Sequence, residues 1–340
     1  GSKDAFSSDA KVVHVAMIET LKRRFQKGLI DVNPRLIIID EAHKRTFEAV
    51  FEMFPNAFVI GATATPVGIH LHKFYSHIVK PVDVPDLIDN GYLLQCVAYQ
   101  MKEDLSDLKI KAGEYTKESL DQHYNKRTLF SGVVDQYVEK LKGKKTLIFN
   151  VNVEHAENMT TAFLEAGIHA ECVTSNTSPE ARKSILERFT NGEFMVLNNC
   201  GILTTGYDEP TVEAIIMNRA TKSIALWLQC CGRGSRPIDG SIGGLPTKEE
   251  RLAAIAASSK PYFTVLDFGM NHDQHGLWSK ARDWQIEEPR KKKLTTLDVA
   301  PTKLCVNCGS MIYATATNCI FCGYKFPDAN TELKDGVMVR

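Results

Sequence analysis

Leu36-Ile37-Ile38-Ile39-Asp40-Glu41-Ala42-His43 is the stretch on which the reading of this chain turns. Four large aliphatic residues in a row fit a short strand buried on both faces of a parallel sheet, and the run stops abruptly at two acids. In an open α/β sheet the carboxyl ends of the strands are where ligands bind. An aspartate there can hold the magnesium of a nucleotide, and the next glutamate can polarise an attacking water. The same pair would also serve a plain helix start or a solvated turn, so its meaning depends on what accompanies it.

Downstream, Gln229-Cys230-Cys231-Gly232-Arg233-Gly234-Ser235-Arg236-Pro237 offers two arginines three residues apart at the end of an expected helix, placed to reach a phosphate charge. A salt-bridged surface would explain them equally well in isolation. Acids with a metal on one side and arginines on the other make the layout of a two-lobed NTPase.

Two further stretches lie between these. Gly61-Ala62-Thr63-Ala64-Thr65-Pro66 follows a second apolar run, and Leu203-Thr204-Thr205-Gly206-Tyr207-Asp208-Glu209-Pro210 follows a third. In this order the four stretches resemble the motif series of superfamily-two DEAH-type helicases of the phage and bacterial kind, related to branch-migration and repair translocases, over about residues 12–285. The segment Arg219-Ala220-Thr221-Lys222-Ser223 resembles the family's R-P-T-x-S run, with alanine where the proline would stand.

The resemblance implies an α/β fold: a partial first RecA-like lobe and a complete second RecA-like lobe, each a parallel sheet flanked by helices. It implies ATP and Mg2+ as cofactors, with Asp40 holding the metal and Glu41 activating water. His43, Gly206, Asp208 and Gln229 would complete the nucleotide site, and Thr63 and Thr65 would couple it to nucleic acid. Arg233 and Arg236 would stabilise the transferring phosphoryl group. Thr20, Arg23, Thr204 and Thr205 would touch the nucleic-acid backbone, although Thr20 and Arg23 suit a capped surface helix as well. DNA is favoured over RNA by the 219–237 run.

One component of such a motor is missing. No G-x-x-x-x-G-K-[ST] loop, whose backbone amides and lysine cradle phosphates, occurs in the 340 residues. The expectation is therefore a piece lacking the first strands of lobe one, deficient in ATP hydrolysis on its own, with Gly1-Ser2 reading as a tag-cleavage scar. The expected division is a truncated lobe one over 1–92, lobe two over 93–285, a basic linker over 286–303, a zinc ribbon over 304–327 and a tail over 328–340.

Local patterning fills in this plan. A strand at 12–16 should lead into a helix ending near Arg24, and a helix should occupy 46–54 before a strand at 57–61. Residues 103–127 are polar and weakly patterned, as in an insertion or a short helical pair. Then come strands at 146–151, 170–174, 194–199 and 212–218, alternating with helices at 153–165, 179–189 and 223–231, the pattern of a parallel sheet with right-handed crossovers. Ser178 before Pro179 is a good helix start. A strand at 262–268 should close the sheet, and the histidines of 272–284 read as solvated loop residues.

Composition bounds the partners. Lys and Arg together number 41 and so do Asp and Glu, so any nucleic-acid face must be local. No apolar run approaches the ~18 residues of a membrane span. Of nine cysteines, Cys96, Cys172, Cys200, Cys230 and Cys231 are scattered in apolar surroundings, which suits a reducing, cytoplasmic setting.

The other four stand as Cys305-Val306-Asn307-Cys308-Gly309 and Cys319-Ile320-Phe321-Cys322-Gly323. Two C-x-x-C knuckles, each followed by a glycine that lets backbone amides turn toward sulfur, describe a closed four-thiolate site for structural Zn2+. A redox dithiol pair is the rival. Tyr313, Phe321, Tyr324, Lys325 and Phe326 could stack on bases or pack against lobe two. Upstream, Arg290-Lys291-Lys292-Lys293 opens a linker in which Lys291 and Lys292 are candidate phosphate contacts, or simply solvated charges.

Two functional alternatives accompany the helicase reading: an RNA helicase, and a non-catalytic module that grips DNA or a protein partner around a structural zinc. A zinc nuclease or deaminase is disfavoured, because no open three-ligand set accompanies the cysteines.

Overall fold

The computed structural model describes residues 13–67, 71–286 and 301–327. The chain divides into two units, the described parts of Gly1–Pro81 with Arg282–Lys293 and those of Val82–Ala281 with Leu294–Arg340. Lys291 and Lys292 lie outside the described residues.

In the smaller unit, β1 (Leu36–Asp40) pairs in parallel with β2 (Phe58–Ala62), Leu36 opposite Phe58 and Asp40 opposite Ala62. The helices are α1 (Ile18–Gln26), α2 (Glu48–Met53) and α3 (Leu71–Phe74). Residues 13–17 hold no strand, contrary to the expectation for 12–16. Val13 and Val15 find no neighbouring strand and stand exposed. The period-two alternation of a strand sends Ile37, Ile39 and Val59 to one face, where they pack with Ile18, Leu21, Val50 and Phe54. Leu36, Ile38, Phe58 and Ile60 go to the other and are 51%, 67%, 69% and 45% exposed. Gly61 is required for close approach, since a Cβ there would stand 2.7 Å from Ala42 Cβ and from the Tyr75 ring.

The larger unit is built on an eight-stranded sheet. Its strands are β3 (Gln95–Gln100), β6 (Thr146–Asn150), β7 (Ala170–Val173), β8 (Val196–Asn199), β9 (Ala214–Asn218), β10 (Tyr262–Asp267), β11 (Thr302–Leu304) and β12 (Met311–Tyr313), in the spatial order β11-β12-β3-β10-β9-β6-β8-β7. The six strands from β3 to β7 run parallel, and the β11–β12 hairpin joins antiparallel at β3. Strands β6, β8 and β9 are buried throughout, which is why they read as unbroken apolar or amide runs rather than alternating ones.

Helices α4 (Val84–Asp89), α5 (Lys117–Tyr124), α6 (Arg127–Lys140), α7 (Val153–Glu165), α8 (Pro179–Thr190), α9 (Ile224–Gly232), α10 (Lys248–Ala257) and α11 (Asn271–His275) belong to the same unit. Their starts are chemically marked. Asn152 and Ser178 accept from the amides of His155 and Ala181, and Thr247 forms a capping box with Glu250. Helices α6 and α7 cover one face through Val133, Tyr137, Met159 and Phe163, while Trp227 and Cys231 of α9 fill the other. The polar 103–127 region forms a small hairpin, β4 (Ile110–Lys111) with β5 (Glu114–Tyr115), followed by α5.

The segment after β10 is not a solvated loop. His272 is fully buried and His275 is 8% exposed. Asp267, at the end of β10, accepts from the His272 amide at 2.9 Å and lies 3.0 Å from its Nδ1. Asn271 bridges Asp267 and the Arg219 carbonyl. The histidines read as loop residues because their spacing is polar, but their partners are buried acids and carbonyls that no local pattern announces.

Candidate functional site

Strand β1 delivers Asp40 exposed at its carboxyl end, and the chain turns at once through Glu41, which takes a left-handed φ of 52°. A non-glycine residue in this region is uncommon and often marks a functional turn. The Glu41 amide donates to Asp40 Oδ1 at 2.9 Å, and the parallel ladder is carried one step further by the Ala42 amide donating to the Ala62 carbonyl at 3.1 Å.

The next strand delivers the partner segment. His43 Nδ1 lies 2.8 Å from Thr63 Oγ1 and 3.4 Å from Glu41 Oε2. Burial lowers the His43 pKa below its ordinary value, with Glu41 pulling the other way. The Thr65 amide also donates to Thr63 Oγ1, at 3.1 Å. Glu41, His43, Thr63 and Thr65 thus form one linked group across the ends of the two strands. Thr20 and Arg23 lie exposed on α1.

In the larger unit, α9 ends at Gly232 and Arg233 is its C-cap. Gly234 packs against Phe263 and Ile215 where a Cβ would intrude, 2.5 Å from the Phe263 ring. Both predicted arginines engage the 203–210 segment: Arg233 donates to the Tyr207 carbonyl, and Arg236 pairs with Asp208 on the surface. Gly206 has φ 74° and is exposed, as is Asp208, while Thr204 Oγ1 donates to the Gly201 carbonyl at 2.8 Å. Thr205 and Gln229 are half-buried. Arg233, Arg236 and Asp208 are therefore one cluster, and Gly206 sits on the loop that supplies it.

The sequence reading missed three supports of these segments. Asn150, Asn198 and Asn218, near the ends of three neighbouring strands, form a buried amide chain with links of 3.1 and 2.9 Å, and His155 Nε2 lies 3.2 Å from the Asn218 amide. Glu114 of the hairpin accepts from Thr221 Oγ1 and from the amides of Lys222 and Ser223, capping α9 from outside. The third is Lys260, whose Nζ is enclosed by main-chain carbonyls. An asparagine near each of three predicted strand ends was the one visible signal.

The four predicted zinc ligands converge. All ligand sulfurs of Cys305, Cys308, Cys319 and Cys322 lie within 4.8 Å of one another. Two close sulfur contacts cross between the knuckles, 3.6 Å for Cys305–Cys322 and 3.7 Å for Cys308–Cys319. Zn–S bonds of 2.3 Å in a tetrahedron put sulfurs ~3.8 Å apart, so the set is consistent with structural zinc. Gly309 and Gly323 each take φ 73°, allowing their amides to reach back to the carbonyls of Cys305 and Cys319 at 2.8 and 2.9 Å. Phe321, Tyr324 and Phe326 pack within the module, and Met311 and Tyr313 pack into the core of the larger sheet.

Two family matches fall on these segments. Residues 1–68 match the family described as Type III restriction enzyme, res subunit, and residues 129–237 match Helicase conserved C-terminal domain. The chain carries a superfamily-two, DEAD/DEAH-like helicase/ATPase domain.

A 51.5 kDa protein of a Lactococcus phage is similar to this superfamily-two domain, at 31% identity over 86% of the chain and 62% of its own length. The "Putative ATP-dependent helicase IRC3" of Saccharomyces cerevisiae is 33% identical over 69% of the chain and 36% of its own length. The chain thus spans less than two thirds of these relatives. The solved fragment of an HsdR-type subunit of a type I restriction enzyme from Vibrio vulnificus YJ016 shares the fold, with a TM-score of 0.56 and 22% identity over 81% of the chain and 53% of that structure. Among the described residues, no helix of the domain is long and apolar enough to cross a membrane.

Proposed function

We propose that this chain is part of a nucleic-acid-dependent ATPase, a DNA helicase or translocase acting on duplex or branched DNA. Asp40 holds Mg2+, Glu41 activates the attacking water, and Arg233 and Arg236 stabilise charge on the transferring phosphoryl group. His43, Thr63 and Thr65 relay the state of the nucleotide to the nucleic-acid face, to which Thr20, Arg23, Thr204, Thr205, Lys291 and Lys292 contribute. Gly206, Asp208 and Gln229 complete the nucleotide site.

The observation that carries this reading is the pairing of segments within each unit. The acidic turn is hydrogen-bonded to the Thr63 segment, and the arginine segment to the 203–210 loop. Arg236, already paired with a carboxylate, can exchange Asp208 for a phosphate oxygen at little cost, because an exposed ion pair is worth about 0–1 kcal/mol.

The reading requires a phosphate-binding loop, and none of the G-x-x-x-x-G-K-[ST] form stands in these 340 residues. The apolar face of β1 and β2 that stands exposed is open to further structure, since parallel strands are ordinarily covered on both sides. ATP hydrolysis by the protein extended on its amino-terminal side, with and without DNA, tests the reading. DNA-stimulated turnover is expected, and no turnover in either condition would overturn it.

The lack of any G-x-x-x-x-G-K-[ST] sequence favours one second reading, a non-catalytic module that binds DNA or a protein partner. It predicts DNA binding by the extended protein that is indifferent to ATP.

A further inference from the structure

Lys260 lies just before β10 and is 1% exposed. Its Nζ donates to the Pro210 carbonyl at 2.7 Å and to the Arg236 carbonyl at 2.8 Å. Those carbonyls belong to the two segments whose side chains pair as Asp208 with Arg236 and as the Tyr207 carbonyl with Arg233. One amine therefore joins the backbones of both.

We propose that Lys260 is a positioning residue for the arginine pair, fixing the main chain at Arg236 against that at Pro210 and so setting where the Arg233 and Arg236 guanidiniums point. This rests on the reading that those arginines act on a phosphoryl group.

A purely structural role fits the site poorly. Burial brings the Lys260 pKa down to about 7, although Glu213 and Glu209 raise it in part, so placing the amine there opposes stability. A methionine of similar length would fill the space without desolvating an ion, but would leave the Pro210 and Arg236 carbonyls without this donor. What methionine cannot do is bond two carbonyls. A neutral amine also has two N–H groups, so the tie survives loss of the charge. The neighbouring Ser235 carbonyl is held separately by the Leu94 amide at 2.7 Å, while Lys260 ties the main chain at Arg236 to the main chain of the 203–210 loop.

Two arms test the proposal. In the chain as it stands, Lys260→Met should speed hydrogen exchange of amides in 207–212 and 233–238 while leaving β6 and β9 protected. Unchanged exchange there would overturn the proposal. In the amino-terminally extended protein, Lys260→Met should lower kcat about 100-fold, the scale of a misplaced reacting group, with KM for ATP changed less than about 3-fold. In an Arg236→Ala background the same substitution should cost much less, because groups acting as a unit are not additive. An equal loss in both backgrounds, or no loss in either, would overturn positioning. Lys260→Gln, which keeps one donor, is the second variant if the methionine protein does not fold, and should fall between wild type and methionine in the exchange arm. An extended wild-type protein with no ATPase activity at all would instead sink the parent reading, whatever the exchange result.

Discussion

His43 Nδ1 sits 2.8 Å from Thr63 Oγ1, so the turn after one strand is tied directly to the turn after the next. Thr63→Val keeps the shape and removes the tie. Loss of a hydrogen bond of this kind costs about 0.5–1.5 kcal/mol, so a modest fall in the denaturant midpoint of the smaller unit is expected. In the extended protein, DNA stimulation of ATP hydrolysis should drop more than basal hydrolysis. Equal drops would show that the pair does not transmit between the sites.

The exposed apolar face of β1 and β2 sets a second expectation. Ile38→Glu and Phe58→Glu should leave the stability of this chain within about 0.5 kcal/mol, since surface substitutions usually do, and should reduce self-association. In the extended protein the same changes should prevent folding of the smaller unit. Sedimentation and proteolysis of both forms check the contrast, and a folded, active extended Phe58→Glu protein would mean that nothing covers that face.

Acid should weaken the larger unit through His155. Burial lowers its pKa to about 3, with Arg219 adding to the effect and Asp121 opposing it, and Nδ1 accepts from the Val151 amide, a bond only the unprotonated nitrogen can take. The folded value lies below the unfolded one of 6.5. The contribution is therefore fully present above about pH 6.5 and is lost as pH falls toward 3, with a limiting slope of about 1.4 kcal/mol per pH unit. His155→Gln should flatten that part of the profile measured by urea unfolding. A variant with the wild-type slope would assign the acid sensitivity elsewhere.

The cysteine cluster should bind one zinc per chain, and Cys319→Ser should abolish it. Structural zinc supplies on the order of 10 kcal/mol to small modules of this kind. Chelation should therefore expose amides of 301–327 to exchange while the six parallel strands stay protected. Full metal retention by Cys319→Ser would rule the cluster out as the site.

Much of this was legible in the chain itself, because the larger sheet writes its strands as apolar runs and its helices with caps such as Ser178-Pro179. The turn at Asp40-Glu41, the Arg233 and Arg236 segment and the two C-x-x-C knuckles stood out for a similar reason: each sets particular residues at short, fixed spacings. Glu114 and Lys260 were not, since each works on a segment far away in sequence and looks locally like an ordinary surface charge; Asp267 was not, since its partners Asn271 and His272 stand in a stretch that reads as loop. Helix α6 went unread for want of a side-chain cap or a strongly one-sided apolar pattern. The expected strand at 12–16 failed because a run of valines makes a strand only where another strand offers it a ladder.

Strand β3 follows soon after the smaller unit, yet its neighbours in the sheet are β10 and β12, both much later in the sequence. A ribosome releases β3 long before either neighbour exists. The nascent larger unit must therefore hold a buried-type strand unpaired until β10 has been made, and such delays invite misassembly. The hairpin that borders β3 carries Cys305 and Cys308 between its two strands, so zinc held by the four-cysteine cluster would stiffen the same element that closes the sheet at that edge.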